Sequence, residues 1–475
     1  MPRRHRDLVI VNAEVDGRLV DVATAGGVIT SVDPATSERR RGGATVLDAA
    51  GAALIPGLND HHIHLAATAA ARSSIDAGPP TVASRGELCT ALVAADRSRP
   101  PGEWLRAVGY HESVAGELDR AALDGIVPDR PVRVQHRSGA VWFVNSAGLR
   151  LLGVDDSPNR PDLIGIERDP AGRPTGRLFR LDDWLRERVP ATVPDLASLG
   201  RELAAAGVVG CTDATPWRSV ADLRRFAEAV AVMPQRVLAM SAPGIPVDEP
   251  ASVPIAATKI VLADHALPAL GDVEAWFADS HALGRPVAVH AVTAEALAIA
   301  IAAWSAAGVL EGDRVEHAAV TPASAIGELA RLRIRVVTQP GFVGTRGDSY
   351  LDDVPVAEHP DLWRCATLVA AGIRTAAGSD APHGPIDPWR GIAAAVDRTT
   401  PSGRILGRPE RLDPESALHL WLSGLADPGG PPRTIDVGAA ADLCVLDRLL
   451  ASVLKHPAVD RVVATIVVGE VVHER

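Results

Sequence analysis

Pro56-Gly57-Leu58-Asn59-Asp60-His61-His62-Ile63-His64-Leu65 is the stretch from which the fold can be read. On an extended backbone alternate residues share a face, so His62 and His64 present their rings in one direction and His61 points the other way, as a structural residue. Neutral imidazole is the commonest transition-metal ligand, so two such rings from one strand end predict a metal centre. The apolar run Ala52 to Ile55 just before them reads as the first of eight core strands. The others are Val208 to Thr212, Arg236 to Ser241, Thr258 to Leu262, Pro286 to His290, Arg314 to His317, Arg335 to Gln339 and Arg374 to Gly378. Helical patterns fill most of the gaps, at Val220 to Ala231, Val273 to Leu283, Ala294 to Ala306, Pro322 to Leu332 and Leu362 to Ala371. In the fourth, Thr321 reads as the N-cap and Pro322 as the first helical residue. Strands alternating with helices are the texture of a parallel sheet covered by helices, and this predicts an α/β chain built on a (β/α)8 TIM-like barrel.

Outward from the barrel the texture changes. Leu8 to Val11, Arg18 to Thr24, Gly27 to Val32 and Thr45 to Asp48 are short strands, and Ala441 to Leu446 and Val462 to Val471 answer them at the far end. Segments 1–55 and 426–475 are therefore expected to form a composite β-sandwich flanking a barrel domain at 56–425. The gap after strand one, about 66–200, is far longer than the ~15 residues a structureless loop usually reaches, so it must be an inserted subdomain. Trp104, Trp142 and Trp184 would supply part of its core.

Composition excludes several classes of function. The 475 residues carry a net charge of -11, which does not suit a nucleic-acid binder, because phosphate contact needs a basic field. The run Arg39-Arg40-Arg41 is too short to supply one and reads as a solvated loop. Cys89, Cys211, Cys365 and Cys444 are scattered, with neither a disulfide framework nor a zinc knuckle in their spacing. The apolar run Leu8 to Val11 is too short for a signal peptide, and no stretch is a membrane span, so a cytoplasmic protein with a small-molecule substrate is expected. A homodimer is the default assembly. Only two lysines occur, Lys259 and Lys455, against 46 arginines. A lysine kept inside the apolar strand Thr258 to Leu262 therefore asks for a reason.

Barrel enzymes place their functional residues at the C-terminal ends of the strands. Here those ends carry His62, His64, Asp213, Lys259, His290, His317, Gln339 and Asp380. Asp213 and Gln339, together with Tyr110 and Trp142 from the insert, are the candidates for contacting a substrate.

The H-x-H stretch resembles the opening of the amidohydrolase superfamily barrel. Gly102-Glu103-Trp104-Leu105, Val144-Asn145-Ser146, His290-Ala291, Glu316-His317-Ala318 and Ala377-Gly378-Ser379-Asp380 resemble the branch that contains N-substituted formamide deformylase. The resemblance covers nearly the whole chain. It implies that His62, His64 and Asp380 hold one divalent metal, that His290 and His317 hold a second, and that Lys259 bridges them as a carbamate, with zinc the first expectation at one or two ions per chain. It further implies hydrolysis of an amide-type C–N bond of a formamide, amide, carbamate or cyclic amide, with Asp380 as the proton carrier. For Lys259 the alternative is an ordinary ion pair with an acid such as Asp264. For the chain the alternatives are a mononuclear deaminase of a heterocycle, an ester or lactone hydrolase, and a barrel that binds without turnover. Deamination ranks second, because the first glutamate after His290 is Glu295, already inside a helix.

Overall fold

A computed structural model describes residues 7–35, 44–79, 81–154, 164–189, 194–246 and 253–475, so the Arg39-Arg40-Arg41 run lies outside the described residues. The chain divides into two compact units, Met1–Leu65 with Leu196–Arg475, and Ala66–Asp195.

In the first unit eight parallel strands form a nearly closed barrel: Leu58–Ile63, Val208–Trp217, Arg236–Ser241, Ile255–Val261, Val287–Ala291, Arg314–His317, Arg335–Thr338 and Thr375–Ala377. Each pairs with the next in chain order. At the seam between the eighth and the first, the Asp380 N–H donates to the His62 carbonyl at 2.7 Å and the His64 N–H to the Ala381 carbonyl at 2.9 Å. Valine-rich strands buried on both faces are what a helix-covered parallel sheet requires. Val287, Val289, Val315 and Val336 accordingly share one buried cluster with Phe277, Leu297, Trp304 and Leu329 of the covering helices. Ala214, Met240, Ala257 and Ala288, from strands two to five, form a separate small cluster.

One expected strand is misplaced. Ala52 to Ile55 does not open the barrel: Leu54–Pro56 pairs antiparallel with Leu443–Leu446 in a flanking sheet. The chain changes sheets at Gly57, whose N–H reaches back to the Asp442 carbonyl while the Leu58 N–H donates to Gly207. A Cβ on Gly57 would lie 2.2 Å from a methyl of Val209, so only glycine allows this close crossing. An apolar run of four satisfies either sheet, and hydrophobicity alone could not choose. The first barrel strand is Leu58–Ile63, which carries His61 and His62 itself, with His64 just past its end. Pro322 is likewise the N-cap of helix Ala323–Leu332 rather than its first residue, and Thr321 spends its hydroxyl on the Ala318 carbonyl.

Two four-stranded sheets accompany the barrel. One orders Val28–Pro34, Arg18–Ala25, Leu8–Val15 and Thr45–Asp48, and the other Glu470–Glu474, Val462–Val467, Leu443–Leu446 and Leu54–Pro56. Leu8, Ile10, Val22 and Ile29 of the first share one buried cluster with Leu54, Leu443, Val445 and Ile466 of the second.

The second unit is a six-stranded mixed sheet in the order Ile166–Arg168, Pro174–Phe179, Val141–Val144, Val132–His136, Leu105–Tyr110 and Ile75–Asp76. Trp142 is buried in its core with Trp104 and Trp184 packed against the same cluster. Buried Asn145 accepts from the backbone of Val132 and Gly148 and donates to the carbonyls of Val127 and Arg130, which fixes the start of helix Ser146–Leu151.

Candidate metal centre

The parallel register sets the levels of the barrel interior. Lys259 lies beside Ala288 and Ala288 beside Arg314, while one step up His290 lies beside Glu316. His62 is the penultimate residue of strand one and His64 follows that strand, His317 ends strand six, and Asp380 follows strand eight.

These side chains converge. Asp380 Oδ1 lies 3.3 Å from His64 Nε2 and 3.5 Å from His62 Nε2, and its Oδ2 lies 3.9 Å from His317 Nδ1. The His317 ring centroid stands 4.8 Å from that of His62 and 4.5 Å from that of His290. His62, His317 and Asp380 offer ligand atoms within 4.8 Å of one another, and among the described residues they are the one such group of three. His317, Ala318 and Asp380 have φ of +74°, +50° and +49°. Left-handed backbone at non-glycine residues costs energy, and it clusters where side-chain aim matters more than local stability.

Polar partners orient the rings. Glu316 Oε2 lies 2.5 Å from His62 Nδ1, while Arg314 Nε donates to Glu316 Oε1 at 2.6 Å. The Gln339 carbonyl oxygen lies 2.8 Å from His317 Nδ1, and Thr215 Oγ1 lies 3.3 Å from His64 Nδ1. Several buried atoms have no hydrogen-bond partner among the described residues: His62 Nε2, Asp380 Oδ1, Lys259 Nζ and Gln339 Nε2. Orphaned buried polar atoms are rare. An imidazole nitrogen and a carboxylate oxygen orphaned together are a donor set suited to a cation.

Electrostatics point the same way. Burial pushes His317 down to about 3 and His62 down to about 4, and it drives His290 well below the usual imidazole value, so all three are neutral at physiological pH, the form in which an imidazole can ligate a metal. Burial also lowers Lys259. Burial alone would raise Asp380, but the imidazoles of His64, His62, His317 and His383 around it outweigh that and hold the carboxyl well below the ordinary range. Lys259 makes no ion pair with Asp264, which instead accepts from the Thr293 hydroxyl.

The expected site residues thus divide. His62, His64, His290, His317, Lys259 and Asp380 come together inside the barrel mouth, joined by Gln339. Asp213 is nearby but fully engaged, accepting from the N–H groups of Leu65 and Thr215 and from the Trp217 indole. Tyr110 and Trp142 belong to the second unit. There the Tyr110 hydroxyl donates to the Gly116 carbonyl, and the Trp142 indole donates to Asp182 with the Arg106 and Arg133 guanidinium groups over its ring. His61 is buried with Nε2 2.9 Å from Ser423 Oγ, on the opposite side from His62. Two contributors were missed. Glu316 was legible as the partner of Arg314, two residues apart on one strand face. Asp60 shares the parity of His62 and His64, and its Oδ1 accepts from the N–H groups of His62 and Ser379 while burial pushes it up to about 7.

The sequence profile of the amidohydrolase family matches residues 45–473. N-substituted formamide deformylase of Arthrobacter pascens is 28% identical over an alignment of 510 positions, covering 93% of this chain and 94% of that protein. Among solved structures, an uncharacterized metal-dependent hydrolase from Pyrococcus horikoshii OT3 superposes with a TM-score of 0.73 at 19% identity, over 93% of this chain and 97% of that one. N-isopropylammelide isopropylaminohydrolase from Burkholderia multivorans superposes with a TM-score of 0.56 at 16% identity, over 99% and 98% of the two chains.

Proposed function

The chain belongs to the amidohydrolase family, and from that premise we propose that it is a metal-dependent hydrolase that cleaves a C–N bond of a small amide-type molecule, releasing a carboxylic acid and an amine. The observation that carries this reading is the convergence of His62, His64 and His317 on the Asp380 carboxylate, with His290 against the His317 ring and with His62 Nε2 and Asp380 Oδ1 buried and without a hydrogen-bond partner.

His62, His64, His290, His317 and Asp380 would hold the metal, zinc being the first candidate. Lys259 would serve as a bridging ligand after its neutral amine has added carbon dioxide, since a carbamate presents two oxygens where the free amine presents one nitrogen. Its burial and lack of a partner favour that neutral amine. A bound divalent ion supplies Lewis acidity toward a carbonyl oxygen and brings the pKa of water toward neutrality. Asp380 is ionised, and Oδ1 faces the imidazoles, so it is placed to accept a proton from the attacking water. It then returns that proton to the leaving nitrogen as the C–N bond breaks. The strained backbone at His317 and Asp380 aims both groups before substrate arrives.

Deamination of a heterocycle is disfavoured by the position of Glu295, the first carboxylate after His290, which is exposed in the first turn of helix Ala294–Ala307. A screen of formamides, N-acyl amines, carbamates and cyclic amides tests the proposal, scored by amine release in the wild type and in Asp380→Asn. Turnover that disappears in the variant supports it. Ammonia release from aminated heterocycles, with no turnover of any amide, would overturn it.

A further inference from the structure

Strand six carries an arginine and a glutamate on one inward face, at Arg314 and Glu316, both almost wholly buried. An ion pair along a barrel interior is a weak device for stability, because removing two charges from water costs about as much as their attraction returns. Its geometry suggests a different use. The two carboxylate oxygens are divided: Oε1 accepts from Arg314 Nε at 2.6 Å, and Oε2 lies 2.5 Å from His62 Nδ1. The guanidinium therefore holds the carboxylate in place and charged, and the carboxylate in turn engages the one ring nitrogen of His62 that faces away from Asp380.

A carboxylate can only accept, so the proton of His62 must sit on Nδ1, and the lone pair must sit on Nε2. That is the nitrogen left without a partner, 3.5 Å from Asp380 Oδ1. The opposite tautomer would leave Nδ1 and Glu316 as two buried acceptors in contact. His317 has a comparable arrangement with a neutral acceptor, the Gln339 carbonyl oxygen, on its Nδ1. On Nδ1 of His62 the acceptor is instead the Glu316 carboxylate.

We propose that Glu316, anchored by Arg314, is a positioning residue that fixes His62 with its Nε2 lone pair toward the metal and raises the basicity of that ligand. The inference rests on the metal-centre reading above. Carboxylates behind ligating imidazoles commonly contribute about 10–100-fold in metal affinity. Zinc affinity is to be measured by chelator competition on the full-length protein, wild type beside Glu316→Gln and Glu316→Leu, together with the melting temperature of each metal-free protein.

Glutamine keeps the shape and one accepting oxygen, so Glu316→Gln is expected to lose about tenfold in zinc affinity, and Glu316→Leu closer to a hundredfold. Removing one charge of a buried pair lowers stability, so the metal-free melting temperature of Glu316→Gln is expected to fall, and affinity is compared at a temperature where both proteins are folded; a loss of zinc affinity in the folded variant separates positioning from a merely structural role. Wild-type affinity in Glu316→Gln, with wild type binding zinc, would overturn this inference while leaving the metal centre intact. No zinc binding in wild type would overturn the metal centre and this inference with it. Should Glu316→Leu fail to fold, the glutamine variant decides the question alone.

Discussion

At the residue scale, the site is made by side chains whose polar atoms are only partly used. Asp380 has the clearest function. It is ionised among four histidines, and an asparagine in its place would keep the volume while losing the charge and the proposed capacity to carry a proton. Asp380→Asn should therefore lower kcat by about 10²–10⁴-fold, in a steady-state assay on whichever amide the wild type turns over. A fall of less than tenfold would remove Asp380 from the proton-transfer role. The sequence made this residue legible because it follows a core strand, and the same reasoning found His290 and His317. It did not single out Glu316 or Asp60: their parity with Arg314 and with His62 was readable, but the groups they meet across the barrel depend on neighbours in space. Tyr110 and Trp142 show the reverse limit. Aromatic residues in an insert suggest a pocket, yet here their polar atoms find partners inside the second unit.

At the element scale, what brings His62, His64 and Asp380 together is the seam between strands eight and one. Ser379 and Asp380 lie against the end of strand one, where the Asp380 N–H donates to His62 and the Ser379 N–H to Asp60. Gly378 makes this contact feasible, because a Cβ there would lie 2.6 Å from both the backbone nitrogen and the Cβ of His62. Gly378→Ala should push the two strands apart, costing about 1–3 kcal/mol and reducing bound metal more than a surface substitution of similar cost. Thermal unfolding with parallel metal analysis checks this, and a variant with wild-type stability and metal content would show that the seam is not closed as described. Five of the eight barrel strands were legible to within two residues, because valine-rich runs bounded by turns and helices allow few other readings, and strand four begins three residues earlier than expected, at Ile255. Strand two runs on to Trp217, past the polar Asp213. Strand one was misread because Pro56-Gly57 looks like the end of a strand, whereas it is a crossing between two sheets.

At the scale of the whole molecule, burying so many neutral imidazoles has a consequence for stability. Burial holds His61 and His317 at about 3 and His62 at about 4, against an ordinary value of 6.5. As pH falls below 6.5 the unfolded chain binds protons that the folded chain refuses. The stabilisation is therefore complete above pH 6.5 and is lost progressively as pH falls toward the folded values. The metal-free protein should melt at steadily lower temperature from pH 7 to pH 5, and a flat profile over that range would mean that these rings are not buried and neutral. Among the described residues no helix is long and apolar enough to cross a membrane. The barrel framework could be read from alternating strands and helices, but the sheet to which each edge segment belongs depends on pairing between distant parts of the chain, which local pattern does not encode.

The proposed metal centre draws these residues around a bridging Lys259. The most direct test is metal content by plasma mass spectrometry, for the purified wild type and for Lys259→Ala, with bicarbonate present throughout. The account predicts about two equivalents in the wild type, as in other two-ion hydrolytic sites, and a sharp drop in the variant. A single equivalent unchanged by the substitution would contradict the bridging lysine, and a wild type without metal would contradict the centre itself.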